Sequence, residues 1–149
     1  MLQEIQLNFF GKLIKFDNKQ IEALGLLDFV AEKTKKRIVS ECIFNHNEIE
    51  DKILGFENHQ GFITGITEPL FTVENGYSSD LKSKVEGFKQ NNFYGTYLLG
   101  PIFVRNPKLL EKVCKEIILS KDINFKFKEF DFEIQQKAHD KFLEKYDKD

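Results

Sequence analysis

Gly95-Thr96-Tyr97-Leu98-Leu99-Gly100-Pro101, followed by Arg105-Asn106-Pro107, is the stretch on which the fold turns, because two patterns meet there. Before it, short β-prone runs follow one another: Arg37 to Phe44, Ile53 to His59, Leu70 to Val73 and Phe93 to Val104. Gly, Asn and Pro part them, as between strands. After it, Asn106 reads as an N-cap with Pro107 at the first helical position. Leu109, Leu110, Val113, Ile117 and Ile118 then recur at helical spacing.

Upstream, Leu2, Ile5, Phe9, Leu13 and Phe16 repeat at intervals of three and four, which predicts a helix from Leu2 to about Phe16. Asp17-Asn18-Lys19 is turn chemistry, and a short stretch from Ile21 to Leu27 leads on through Gly25. Asn75-Gly76 and Glu86-Gly87 read as turns, although Gly76 to Asn92 is equally compatible with an irregular loop. Downstream, Phe130, Ile134, Ala138 and Phe142 predict a last helix within Glu129 to Tyr146. No repeat or low-complexity stretch is visible. The chain shows no opening β-α-β-α run with the apolar, fully buried strands of a parallel sheet, and it reads as if it starts in the middle of a domain.

Composition bounds the answer. A chain of 149 residues, 41% hydrophobic and with 16 Phe, fits one domain with an ordinary core. A formal charge of −2 gives no global field for nucleic acid or an anionic membrane, and Lys33-Thr34-Lys35-Lys36-Arg37 is the one basic cluster. Cys42 and Cys114 lie far apart with no Cys-x-x-Cys spacing, which speaks against a zinc site or disulfide framework. No apolar run approaches the ~18–20 residues of a membrane span, and the N-terminus lacks the pattern of a signal peptide. The expectation is a cytoplasmic protein.

Local chemistry alone does not name a reaction. His139 is expected on a charged helix face and His46 in a polar loop. Gly55-Phe56-Glu57-Asn58-His59-Gln60-Gly61 crowds a carboxylate, an amide and an imidazole between two glycines at an expected strand end. That pattern serves either a site or a tight turn. Cys42 and Cys114 both read as core thiols, since neither lies on a strand-to-helix elbow of the kind that exposes a nucleophile. Gly95 to Pro101 carries no nucleotide-binding glycine spacing, and no cofactor is implied.

Three stretches taken in order carry a resemblance: Ile21-Glu22-Ala23-Leu24-Gly25-Leu26-Leu27-Asp28, then Gly55 to Gly61, then Gly95 to Pro101 with Arg105-Asn106-Pro107 beyond. The chain resembles the class I, CobQ/CobB-type glutamine amidotransferase family, which includes cobyric acid synthase and, more closely, the amidotransferase subunit of lipid II isoglutaminyl synthase. The resemblance runs from about Gln6 to Val113 and matches the part of the family's domain that follows the nucleophile. It implies an α/β fold: the C-terminal part of an amidotransferase sandwich, a mixed sheet flanked by helices, incomplete without its N-terminal strands. It also implies that 1–149 is a single partial domain.

The resemblance further implies glutamine hydrolysis, with ammonia passed to a partner ligase such as a Mur-ligase-like synthetase subunit, and cell-wall lipid II amidation is one setting. L-glutamine is the implied ligand; nucleic acid and membrane are not implied partners. The family's nucleophilic Cys lies on a Cys-Gly-Gly-Tyr-Gln-like elbow, and Leu2 occupies that place here, with only Gln6 fitting the elbow. The family's general base is a His in Gly-Thr-Tyr-Leu-His-Gly-Pro, and here Leu99 replaces it, marking either a divergent subgroup or decay. An isobutyl group takes no proton, so no Cys–His pair is completed at these places. Arg37 matches an arginine that the family uses to hold substrate glutamine, while the residues alone allow it to be one cation of a basic loop. Glu57, Asn58 and His59 are the possible site-adjacent residues. The expectation is a catalytically incomplete amidotransferase-family chain, either awaiting a separately encoded N-terminal half, or surviving as a binding or scaffold subunit, or a gene fragment.

Overall fold

A computed structural model of the chain describes residues 7–80 and 82–146. It divides into two compact units, the first ending at Gly100 and the second beginning at Pro101. The first is built on a mixed sheet of seven strands: β1 (Leu13–Phe16), β2 (Lys19–Glu22), β3 (Val30–His46), β4 (Ile49–Thr64), β5 (Pro69–Asn75), β6 (Val85–Gln90) and β7 (Phe93–Gly95). The strand order is β2-β1-β3-β5-β6-β7, with β4 on the other edge of β3. Only the β1–β3 pair is parallel among these pairings.

β3 organises the sheet because its two ends serve different neighbours. Val30 to Glu32 pair with β1, Ile43 to Asn45 pair with β5, and β4 runs antiparallel along the opposite edge. A two-residue turn at Asn47-Glu48 joins β3 to β4, and His46 steadies it: its Nδ1 accepts the Glu48 amide at 3.0 Å. The β3–β4 register slips between Lys33 and Ile38, so the basic cluster forms an irregularity inside a strand. The core of the unit gathers Leu7, Leu27, Phe29, Ala31, Ile63, Phe88 and Tyr97, with Phe10 and Ile14 packed on it. Burying each of the larger apolar side chains contributes roughly 1.5–3 kcal/mol.

The second unit is helical: α1 (Ile102–Arg105), α2 (Pro107–Leu119) and α3 (Glu133–Leu143). The Lys108–Glu111, Lys115–Glu111 and Lys112–Glu116 ion pairs lace the exposed side of α2 at helical spacing.

Several sequence expectations are corrected. The helix predicted to reach Phe16 stops early: residues 7–9 are helical, but Leu13–Phe16 is β1. Leu13 and Phe16 have helical spacing while Ile14 and Phe16 have strand spacing, and pairing with β2 and β3 decides. The run Phe93 to Val104 is strand only to Gly95, and Ile102 begins α1. The doubtful region after Gly76 contains β6. Gly55 to Gly61 lies mid-strand in β4. Asn106 precedes α2 as expected, but its side chain makes no cap; Nδ2 donates to the Ile102 carbonyl at 2.8 Å. Cys114 is half-buried, and His139 is buried at 3% exposure with Nδ1 3.1 Å from Asp140 Oδ1.

Candidate functional site

The strand period of two sorts Gly55 to Gly61 onto both faces of β4. Glu57 and His59 point inward and are 0% and 1% exposed, while Phe56, Asn58 and Gln60 face outward and are half-buried. Leu98 then bridges to Glu57 as an extra antiparallel step, and the Leu99 amide donates to the Phe56 carbonyl at 2.8 Å. Two of the singled-out motifs, far apart in sequence, are thus zipped together. Gly55 makes this approach possible: a Cβ there would come within 2.8 Å of Leu98 and 2.7 Å of Phe44.

On the outward face, Arg37 leaves the irregularity of β3 and its Nε donates to Asn58 Oδ1 at 2.6 Å. That bond fixes the plane of the guanidinium and leaves its terminal nitrogens as the fork suited to a carboxylate. A hollow of about 360 Å³ opens beside it, lined by Thr34, Lys36, Arg37, Ile38, Val39, Phe62 and Tyr77. Arg37 and Asn58 therefore meet, while Glu57 and His59 belong to the inward side.

The inward side is a polar cluster in an apolar core, and most of it escaped the sequence. Glu86 of β6 is completely buried and accepts three bonds: from the Ser79 amide at 2.7 Å, the Thr96 hydroxyl at 2.7 Å and the Tyr97 amide at 2.8 Å. Burial pushes its carboxyl up to about 7 and the nearby Glu57 charge adds to the rise, against the pull of those donors. His59 stacks on Tyr97 with ring centroids 4.5 Å apart, and its Nδ1–H donates to the Gly61 carbonyl at 2.7 Å. Its Nε2 lies 3.8 Å from Glu57 Oε1, too far for a hydrogen bond. Burial works against the imidazolium, yet Glu57, the Gly61 carbonyl and Glu86 together outweigh it and the His59 pKa is raised. The Cys42 thiol donates to Glu57 Oε2 at 3.4 Å. Burial, then the Glu57 charge, push this thiol up to about 12, the opposite of what a nucleophile needs.

The Tyr97 hydroxyl donates to Asn8 Oδ1 at 2.6 Å, so the cluster also fastens the segment just after the place assigned to the elbow. Leu2 and Gln6, the residues at that place, lie outside the described residues. Leu99 is half-buried and offers no proton acceptor. Glu86 could have been noticed as a lone carboxylate between Val85 and Phe88, but Gly87 beside it made a turn the simpler reading. Among the described residues no group of His, Cys, Asp and Glu is placed to hold a metal ion, and no helix is long and apolar enough to cross a membrane.

Residues 7–107 match the CobB/CobQ-like glutamine amidotransferase domain. The chain is 36% identical over 135 residues to the lipid II isoglutaminyl synthase (glutamine-hydrolyzing) subunit GatD of Staphylococcus aureus (strain N315), covering 87% of this chain and 54% of that protein. It is 28% identical over 111 residues to the subunit of the same name from Streptococcus pneumoniae (strain ATCC BAA-255 / R6), covering 72% of this chain and 43% of that protein. The chain thus spans about half the length of these curated relatives.

Proposed function

Because this chain belongs to the CobB/CobQ-like glutamine amidotransferase domain family, we propose that it acts as the glutamine-holding part of an amidating ligase. Its relatives are named as glutamine-hydrolyzing subunits of lipid II isoglutaminyl synthase, and a Mur-ligase-like synthetase subunit working on a cell-wall precursor in the cytoplasm is the matching partner. Arg37 holds the α-carboxylate of L-glutamine through its terminal nitrogens, and Asn58 aims it. Glu57 and His59 back the same strand from inside.

The Leu99 amide's bond to the Phe56 carbonyl, which locks its segment to β4, supports the reading, in which Leu99 stands where the family keeps its general base. Cys42 offers no substitute nucleophile, because its thiol is buried with its pKa pushed up to about 12. In this reading residues 7–107 bind glutamine without hydrolysing it, and 1–149 is a partial domain. The thiol and its base then come from outside the described residues, as from a separately encoded N-terminal half.

Titration calorimetry with L-glutamine, run beside an ammonia-release assay, tests this. Saturable binding is expected, weakened at least about tenfold by Arg37→Ala, since a charge-assisted bond contributes roughly 1.5–3 kcal/mol. No ammonia should form. Glutamine-dependent ammonia release abolished by Arg37→Ala would show a self-sufficient glutaminase, and absence of binding would remove the glutamine reading altogether.

A further inference from the structure

Arg37 faces outward only because β3 breaks its alternation just before it. Ala31 is buried opposite Ile63, and Ile38 is buried opposite His59. Side chains on one face of a strand recur at every second position, so counting on from Ala31 would turn Arg37 inward and Ile38 outward. The pairing skips instead from Lys33–Gly61 to Ile38–His59, and residues 34–37 stand opposite Gln60 alone. The odd surplus of residues on β3 reverses the phase. Ile38 enters the core, and Arg37 emerges beside Asn58, to which its Nε donates at 2.6 Å. Re-aiming a side chain in this way is what bulges beside binding sites do.

The composition of the bulge works against its own order. Lys35, Lys36 and Arg37 are consecutive exposed cations, and like charges in a row push apart. Two side chains fix it. Gln60 Nε2 donates to the Lys35 carbonyl at 3.3 Å, and the Thr34 hydroxyl donates to the Lys36 carbonyl at 2.8 Å. Both carbonyls lie just ahead of Arg37. Gln60 faces the same way as Asn58, two positions along β4, so one strand face grips the bulge at its middle and at its end.

We propose that Gln60 and Thr34 are positioning residues for Arg37, holding the 34–37 bulge in the shape that presents the guanidinium to a carboxylate. The role rests on the reading of Arg37 as the group that holds glutamine. Gln60 and Thr34 act through Arg37, by fixing the two carbonyls that precede it.

Nuclear magnetic resonance of the full chain tests this without any ligand. The chain has two arginines, Arg37 and Arg105, so isotope-labelled arginine gives two Nε–H signals, and Arg37→Lys assigns them. Solvent exchange of the Arg37 Nε–H reports its bond to Asn58, and Asn58→Ala supplies the rate without that acceptor. Gln60→Ala and Thr34→Val are each expected to speed the exchange about fivefold or more, the factor that one net hydrogen bond is worth. The backbone amide signals of β3 and β4 outside the bulge should keep their positions, which shows the fold intact. Thr34→Ser keeps the hydroxyl and should restore the slow rate. Wild-type exchange in either Gln60→Ala or Thr34→Val, or a Thr34→Ser rate equal to that of Thr34→Val, overturns the proposal.

Titration with L-glutamine separates this inference from the reading it rests on. Both variants should weaken binding in the wild-type background and change it no further in the Arg37→Ala background. Further weakening there would show a role apart from Arg37 and overturn the proposal equally. A wild type that binds no glutamine removes the glutamine reading, while the exchange rates still decide what Gln60 and Thr34 do.

Discussion

Three donors converge on Glu86, and the environment still pushes that carboxyl up to about 7. Glu86→Ala leaves those donors buried without an acceptor, and a loss of about 2–4 kcal/mol in urea unfolding is expected. The pH dependence has a definite sign. The folded Glu86 binds its proton more tightly than the unfolded one, whose ordinary value is 4.5, so its contribution is complete below 4.5 and is lost as pH rises to about 7. His59 is also raised, from 6.5, so its contribution is complete below that value and is lost as pH climbs through its folded pKa. The carboxyls of Glu74, Glu111 and Asp140, lowered by bonds from Lys52, Lys115 and His139, lie at the surface and are fully ionised across this window. Tm should therefore fall between pH 5 and 8. Glu86→Gln should flatten the lower part of that fall, and an unchanged profile in the variant would place the effect elsewhere. At this scale the sequence singled out Arg37, Asn58, Glu57 and His59 as candidates but did not show their division between two faces. It hid Glu86 because a carboxylate next to Gly reads as a turn until a third strand supplies its donors.

Among the elements, β6 depends on a residue that a strand would ordinarily exclude. Gly87 holds φ at +64°, and a Cβ on it would meet the Gly95 carbonyl oxygen of β7 at 2.7 Å. Gly87→Ala combines left-handed strain of about 1–3 kcal/mol with that backbone clash, so more than about 2 kcal/mol should be lost. Chemical denaturation checks it, and a shift under half that size would mean the β6–β7 edge gives way cheaply. The two long central strands were legible from β-branched and aromatic runs, but only as short pieces, because the basic cluster and the polar Asn45-His46-Asn47 stretch interrupt their patterning. β1 was not legible, since Leu13 and Phe16 suit a helix until β2 and β3 claim them. α2 was, because Pro107 and an amphipathic run agree.

For the molecule as a whole, protection should be graded. β3 and β4 share one long ladder, with Phe44, Ile53, Leu54 and Ile63 at most 2% exposed, whereas His139 is the only buried residue of α3. Native-state hydrogen exchange is expected to find the β3–β4 amides slowest and those of α3 fastest among the main elements. Equal protection in both would contradict that ranking. The mixed character of the sheet was foreseen from the family resemblance, whereas the strand runs separated by turns gave only its β content. The route of β3, parallel to one neighbour and antiparallel to two, was not, because chain order carries no record of which edges meet.

The two-residue turn at Asn47-Glu48 has a consequence in time. It places Arg37 and Asn58, and likewise Glu57, on one hairpin whose partners are close in sequence. Hairpins of this kind close in roughly 1–10 μs, far faster than a ribosome adds the next residue. Residues 30–64 can therefore pair while the rest of the chain is still being made, and Leu98 and Leu99 dock onto a ladder already in place. The order of synthesis and the order of assembly coincide, so the surface that carries Arg37 is laid down before the segment bearing Leu99 exists.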